Sequence, residues 1–321
     1  MDKSVTTDSG RQLMVLLLLA IATIASYLLY NLPSRWEYAV YYRALSVAAI
    51  IITGVAIALA TMIFQTVVNN RILTPSILGL DSLYLLIQTS IIFVAGSSTL
   101  FVMNSVFLFL FSTGMMVLFA FALYYFLFKR EQQNIFFLLL VGIVFGTFFQ
   151  SLTTFMEVLI DPNEFQVVQD IGFASFNRIN INILWFALAI LVVMIAYSFR
   201  YWRYFDVLAL GRDLAINLGV PYRKITKELL LIVAILISVS TALVGPLTFL
   251  GLLVMNVTFE FIRSYQHKVL IPAAMLISVI TLVFGQLLVS QVFTFNTTLS
   301  IIINFVGGLY FIYLVLRASK T

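Results

Sequence analysis

The chain has 321 residues, 62% of them hydrophobic and 10% charged, with a mean hydropathy of +1.09. Soluble domains carry roughly 25% charged residues, so a water-soluble globular protein is excluded and a polytopic membrane protein is indicated. The net charge of +5 calls for no nucleic-acid partner, because membrane topology accounts for it, and the absence of cysteine removes disulfides and thiolate metal sites together.

A membrane-spanning helix needs about 20 apolar residues. Ten such runs follow one another: 12–30, 43–67, 76–97, 101–128, 133–157, 179–199, 226–244, 246–262, 269–292 and 298–316. No small-residue cleavage site follows the first, which therefore reads as a retained helix and not a signal peptide. On the second, Gly54 and Ala58 share a face, and on the fifth Gly142 and Gly146 do so. Small residues four apart let helix backbones approach closely in lipid. Gln150, Thr153, Thr154 and Glu157 extend the fifth-span face as a polar stripe bordering a wet pathway. Asp81, just after Gly79, is the one acid well inside an apolar run and reads as a helix-start or packing partner.

The longest outer connection, about 161–180, holds an interrupted apolar stretch at 165–176 that is too short to span and suits a re-entrant or interfacial helix. The longest inner loop, 200–227, is also the most basic. Within it, residues 206–221 (DVLALGRDLAINLGVP) form one short amphipathic segment: Asp206 suits an N-cap, Gly219 a left-handed stop, and Pro221 forbids continuation. Leu210, Leu214 and Leu218 recur every four residues and make one apolar ridge, with Arg212, Asp213 and Asn217 pointing elsewhere. A helix this short is unstable alone. Its ridge must lie either on a soluble partner subunit or at the lipid headgroups.

Basic residues collect on the cytoplasmic side of membrane proteins. With both termini inside, fifteen of the eighteen Lys and Arg are inner, and only Arg35, Arg43 and Arg178 are outer. That bias supports an even number of crossings. One histidine, His267 in an inner loop, leaves almost nothing to hold a bare transition metal. A metal wrapped in an organic chelate needs no protein ligands, only a wide, weakly binding path. Phe145, Phe149 and Gln150 on the fifth span and Asn304 on the tenth are candidates to line it.

Several motifs carry a family resemblance. Gln65, Asn70, Pro75, Leu78 and Gly79 in QTVVNNRILTPSILG fit Q-x-x-x-x-N-P-L-A-x-P-x-x-L-G, with Arg71, Ile72 and Leu73 departing from it. Arg43 alone survives of an R-L-P-R run. Ala209, Leu210, Gly211, Ala215, Leu218, Gly219 and Val220 fit A-L-G-x-x-x-A-x-x-L-G-V position by position. Gly245, Pro246, Phe249, Gly251 and Leu252 fit G-P-I-x-F-V-G-L-x-x-P-H, with Met255 and Asn256 in place of its Pro-His, and GGLYFIYLVLR at 307–317 fits the closing helix. The chain thus resembles the FecCD-type permeases of bacterial ABC importers for iron siderophores, relatives of the cobalamin permease. The departures, with FASF at 173–176, are similar to the petrobactin, anguibactin and catecholate-siderophore subgroup.

The resemblance implies an all-α polytopic membrane protein, one domain over 1–321, with about ten transmembrane helices and a cytoplasmic coupling helix at 206–221. It implies a permease subunit, not an enzyme, in the bacterial cytoplasmic membrane, importing an iron(III)–siderophore. The chain has no G-x-x-x-x-G-K-[ST] phosphate loop. ATP and Mg are then expected on a separate ABC ATPase dimer, docked by Leu210, Gly211, Arg212, Leu214, Ala215, Leu218 and Gly219. Further expected partners are a second, different permease chain and an external siderophore-binding protein steered by Arg43, Arg35 and Arg178. The rival is a secondary transporter of a small organic solute driven by an ion gradient. It would carry charged residues at the bilayer midplane and interrupted helices in corresponding halves; neither is clear here.

Overall fold

The structure, a computed structural model of the chain, describes residues 3–32, 34–98, 104–129, 135–177, 179–293 and 297–318. Among them no strand occurs. The helices are α1 (Lys3–Leu29), α2 (Trp36–Val68), α3 (Leu80–Ala95), α4 (Ser105–Lys129), α5 (Ile135–Leu159), α6 (Pro162–Gly172), α7 (Ile181–Phe199), α8 (Trp202–Leu208), α9 (Arg212–Asn217), α10 (Tyr222–Val244), α11 (Leu250–Phe261), α12 (His267–Gln291) and α13 (Leu299–Ala318), with a 3-10 turn at Pro75–Leu78.

Seven of these helices are long and apolar enough to cross a membrane, and three shorter apolar runs, Leu80–Ala95, Leu250–Phe261 and Leu299–Tyr313, join them. Together they account for the ten expected spans. The expected third span, 76–97, is however not continuous. Pro75 opens the 3-10 turn, Gly79 turns left-handed at φ +77°, and α3 starts only at Leu80. Likewise α11 begins after Gly245 at φ +101° and holds 12 residues, about 18 Å at 1.5 Å per residue, well short of a hydrocarbon core of about 30 Å.

α2 is apolar all round because it is surrounded. From Ser46 onward most of its residues are buried, and α10, α12, α1, α11 and α7 all pack on it. Gly54 makes this possible on the α12 side, where a Cβ would stand 3.0 Å from the Ser278 hydroxyl. Its partner α10 also reaches α4, α7 and α3, so α2 and α10 form the centre of the bundle. α5 packs on α3, α4 and the 3-10 turn, whereas α13 packs on α11 and α12.

Candidate functional site

The basic loop between α7 and α10 folds as two short helices, not one. Gly211 at φ +96° separates α8 from α9, a backbone conformation that L side chains rarely adopt. Asp206 therefore does not open the docking helix. It lies inside α8, and its carboxylate accepts from the backbone N–H of His267 at 2.9 Å and from the His267 ring Nδ1 at 2.7 Å, so that it caps α12 instead. The stop at Gly219 (φ +83°) is as expected, and the bonds that make it are visible. Gly219 N–H donates to the Ile216 carbonyl at 2.9 Å and Val220 N–H to the Ala215 carbonyl at 3.0 Å, the paired pattern of a Schellman stop.

The ridge faces outward: Leu210 is 54% exposed, Leu214 53% and Leu218 63%. Ile216, which the four-residue spacing does not include, is exposed beside them. Ala215 is fully buried, so it seats the segment on the bundle and offers no docking surface. Arg212 and Asp213 occupy the first turn of α9.

The loop before α3 explains its own motif. The Gln65 amide donates to the carbonyls of Arg71 (2.8 Å) and Leu73 (3.2 Å), and the Asn70 side chain accepts from Ile72 N–H at 2.9 Å. Asn69 ends α2 in the left-handed conformation, which Asn tolerates better than most residues. Arg71, which stands where the motif has proline, lays its guanidinium over the Phe259 ring at 4.5 Å.

At the end of α1, Arg43 is half-buried and engaged. Its guanidinium donates to the carbonyls of Tyr27, Leu28, Tyr30 and Asn31 at 2.7–3.3 Å, closing the C-terminal end of α1, and lies 5.8 Å from the Tyr27 ring centroid. Arg35 is exposed at the start of α2. Arg178 lies outside the described residues. Of the stretch 165–176, only the part up to Gly172 is helical, in α6, which Asp161 caps by accepting from Asn163 N–H. The residues after it, 173–177, form no regular element and lie against α2 and α10. Ala174 and Phe176 are buried, Ser175 N–H donates to the Val244 carbonyl at 2.9 Å, and the Ser46 hydroxyl donates to the Phe176 carbonyl at 2.6 Å. Gly245 has no side chain because a Cβ there would stand 3.0 Å from the Ala174 Cα.

Gln150 lines an open cleft of about 620 Å³ between α5 and the 3-10 turn, with Ser76, Ser82, Thr147, Ser151 and Thr154 among its walls. Of the polar stripe on α5, Gln150 and Thr154 thus face the cleft, whereas Thr153 is buried and donates to the Phe149 carbonyl at 2.9 Å; Gly142 and Gly146 are the packing device, since a Cβ on Gly142 would stand 2.9 Å from the Ile77 carbonyl oxygen. Phe145 is partly exposed but is not among those walls, and its ring packs edge-on against Phe119 of α4, centroids 5.4 Å apart. Phe149 is buried against Phe119 of α4, ring centroids 5.0 Å apart, so it packs and lines nothing. Asn304 on α13 accepts from the Thr248 hydroxyl at 3.1 Å, in a different part of the bundle from Gln150.

Two partners were missed at the sequence level. Thr241 on α10 donates to Asp81 at 2.8 Å, and His267 is buried with Asp206 on one ring nitrogen and Thr66 on the other. Each pair is separated by more than sixty residues or sits on different helices, beyond the reach of local periodicity. Among the described residues no group of three or more His, Cys, Asp and Glu side chains could hold a metal ion.

Comparison with known proteins agrees with this geometry. The chain is 57% identical over 303 residues to the petrobactin import system permease protein YclO of Bacillus subtilis, covering 94% of this chain and 96% of that protein. It is 36% identical over 312 residues to the petrobactin import system permease protein FatC of Bacillus anthracis, covering 95% and 88%. The fold matches that of a metal-chelate type ABC transporter in an inward-facing conformation, with TM-score 0.82 at 19% identity, covering 96% of this chain and 99% of that one. The model of the FecCD transport family matches residues 12–317. The chain is thus an all-helical transport permease and belongs to the FecCD transport family.

Proposed function

We propose that this chain is one half of the membrane channel of a bacterial ABC importer, and that it passes an iron(III)–siderophore chelate inward while a separate ATPase dimer hydrolyses ATP with Mg. The observation that carries the reading is the exposed leucine ridge of 210–218, held on a Schellman-stopped segment at one end of a membrane bundle. Three large apolar side chains more than half exposed outside the spans need a cover, and a groove on a soluble ATPase supplies one. Leu210, Leu214 and Leu218, with Gly211 and Gly219 setting the backbone, are the docking residues; Arg212 flanks them. Both termini and this loop then face the cytosol, as the basic-residue bias requires.

The cargo is assigned from the petrobactin relatives and from the absence, among the described residues, of a cluster able to hold a naked metal ion. A chelate is recognised outside by a binding protein, and Arg35 is the exposed basic residue placed to meet an acidic lobe of it. Gln150 with the hydroxyls around it gives a polar, weakly binding wall. Because Gln150 and Asn304 stand in different parts of one bundle, a passage using both is completed by a second permease. In Bacillus subtilis a second petrobactin import system permease, YclN, is 24% identical to this chain, which supports a partner of different sequence.

The test is Leu214→Asp in the importer reconstituted with its partner permease, ATPase and binding protein. The charge on the ridge should leave the permease in the membrane but abolish co-purification of the ATPase and ATP-dependent chelate uptake. Normal uptake by that variant removes the docking assignment.

A further inference from the structure

α8 has seven residues and α9 six, so neither is stable on its own and their positions are set by what they touch. Along the chain the docking segment is joined to α7 on one side and, through 218–221, to α10 on the other. Neither route reaches α2 or α12, which lie far away in sequence. A side-chain chain does. The Asp206 carboxylate of α8 accepts two bonds from His267, one from the first backbone N–H of α12 and one from ring Nδ1. The opposite ring nitrogen, Nε2, stands 2.9 Å from the Thr66 hydroxyl, which itself donates to the Met62 carbonyl of α2 at 2.7 Å. The ring is clamped on its face by Phe205, centroids 5.6 Å apart and 29° from parallel, and Phe205 is fully buried.

α12 has no side-chain cap from its own N-cap residue, Gln266. The cap is lent by α8. A hydrogen bond to a carboxylate at a helix N-terminus is among the stronger polar contacts available, and burial of the imidazole fixes its direction. A recess of about 370 Å³ lies alongside, lined by Asn69, Arg71, Asp206, Leu210, Tyr265 and His267 among others, which leaves α8 room to tilt about this contact. Phe205 and Asp206 therefore grip one imidazole whose far edge is held by the central helix.

We propose that the Asp206–His267–Thr66 chain is the link through which displacement of the docking segment moves α2 and α12, making His267 a positioning residue of the transport cycle. The proposal rests on the docking reading above. A push on the leucine ridge tilts α8; the carboxylate carries the N-terminus of α12 with it, and the imidazole transfers the movement to Thr66 and so to α2, the helix on which α1, α7, α8, α10, α11 and α12 all pack. Coupling of this kind requires a contiguous set of discrete contacts, which these distances provide.

The experiment uses the complete importer in proteoliposomes, measuring chelate taken up per ATP hydrolysed and the stimulation of hydrolysis by loaded binding protein. His267→Ala should assemble with the ATPase and hydrolyse ATP at the basal rate, while uptake per ATP falls about three- to thirtyfold and stimulation is lost. Thr66→Val keeps the shape but removes the hydroxyl that faces the buried imidazole, and should lower uptake per ATP in the same direction while the complex still assembles and hydrolyses ATP at the basal rate. Uptake per ATP equal to wild type in Thr66→Val overturns the proposal even if His267→Ala fails to assemble. So does a loss in which uptake and hydrolysis fall together with the melting temperature, since that is a fold defect. Should Leu214→Asp transport normally in the same vesicles, it is the docking reading that fails, an outcome separate from either of these.

Discussion

Gly79 and Gly146 meet main chain to main chain: a Cβ placed on Gly79 would stand 2.8 Å from the Cα of Gly146, and Gly79 itself sits at φ +77°. Gly79→Ala therefore meets two obstacles, a left-handed backbone costing roughly 1–2 kcal/mol and a backbone atom that cannot rotate out of the way. The expected result is a lower thermal midpoint in detergent and poor membrane yield. Gly114→Ala on α4, where a Cβ meets nothing within 4 Å, is the control; it should be neutral or stabilising by roughly 0.5–1 kcal/mol.

Gly219→Val forces a β-branched residue into the left-handed position that ends α9. Nothing lies within 4 Å of its Cβ site, so the cost is conformational and local. The bundle should unfold at an unchanged temperature while ATPase co-purification weakens by about tenfold, corresponding to a conformational cost of roughly 1–2 kcal/mol.

Arg35 and Arg43 should respond differently to charge reversal. Arg35→Glu, at an exposed position, should weaken capture of the loaded binding protein, and less so at high salt where the attraction is already screened. Arg43→Glu removes donors from four carbonyls at the end of α1 and introduces an acceptor among them. It should lower thermal stability at every salt concentration. Titrating binding protein onto the reconstituted permease at two ionic strengths separates the two.

Gln65→Leu keeps the volume of a buried side chain but strips the amide that holds the Arg71 and Leu73 carbonyls. Leaving those acceptors unmatched costs about 1–3 kcal/mol. The 3-10 turn should lose its fixed seat on α5, and uptake should fall together with the thermal midpoint.

The spans were legible because lipid demands long apolar runs, and that demand is written locally. Where the chain breaks inside such a run it was harder to see: the left-handed turn at Gly79 sits between Ile77, Leu78 and Leu80, so 76–97 reads as one span although the helix starts at Leu80. The exposed leucine ridge was legible from the spacing of Leu210, Leu214 and Leu218, and the stop at Gly219 from its place after them. Gly211 was read as a motif residue, but its break was not, because Asp206 has the chemistry of a cap and a plausible helix to open. Its true client, His267, is 61 residues further on. The same holds for Arg43, whose acceptors are carbonyls that carry no residue identity, and for Ala215, whose small side chain looks alike on a buried face and an open one.

The strip 173–177 is pinned to the end of α10 through its main chain, with Ser175 N–H on the Val244 carbonyl and Ala174 against Gly245. Ala174 is fully buried and Phe176 nearly so, and a Cβ on Gly245 would meet the Ala174 backbone. The two stretches can therefore be redesigned only together: added bulk at 174 or at 245 must move main chain on the opposite side.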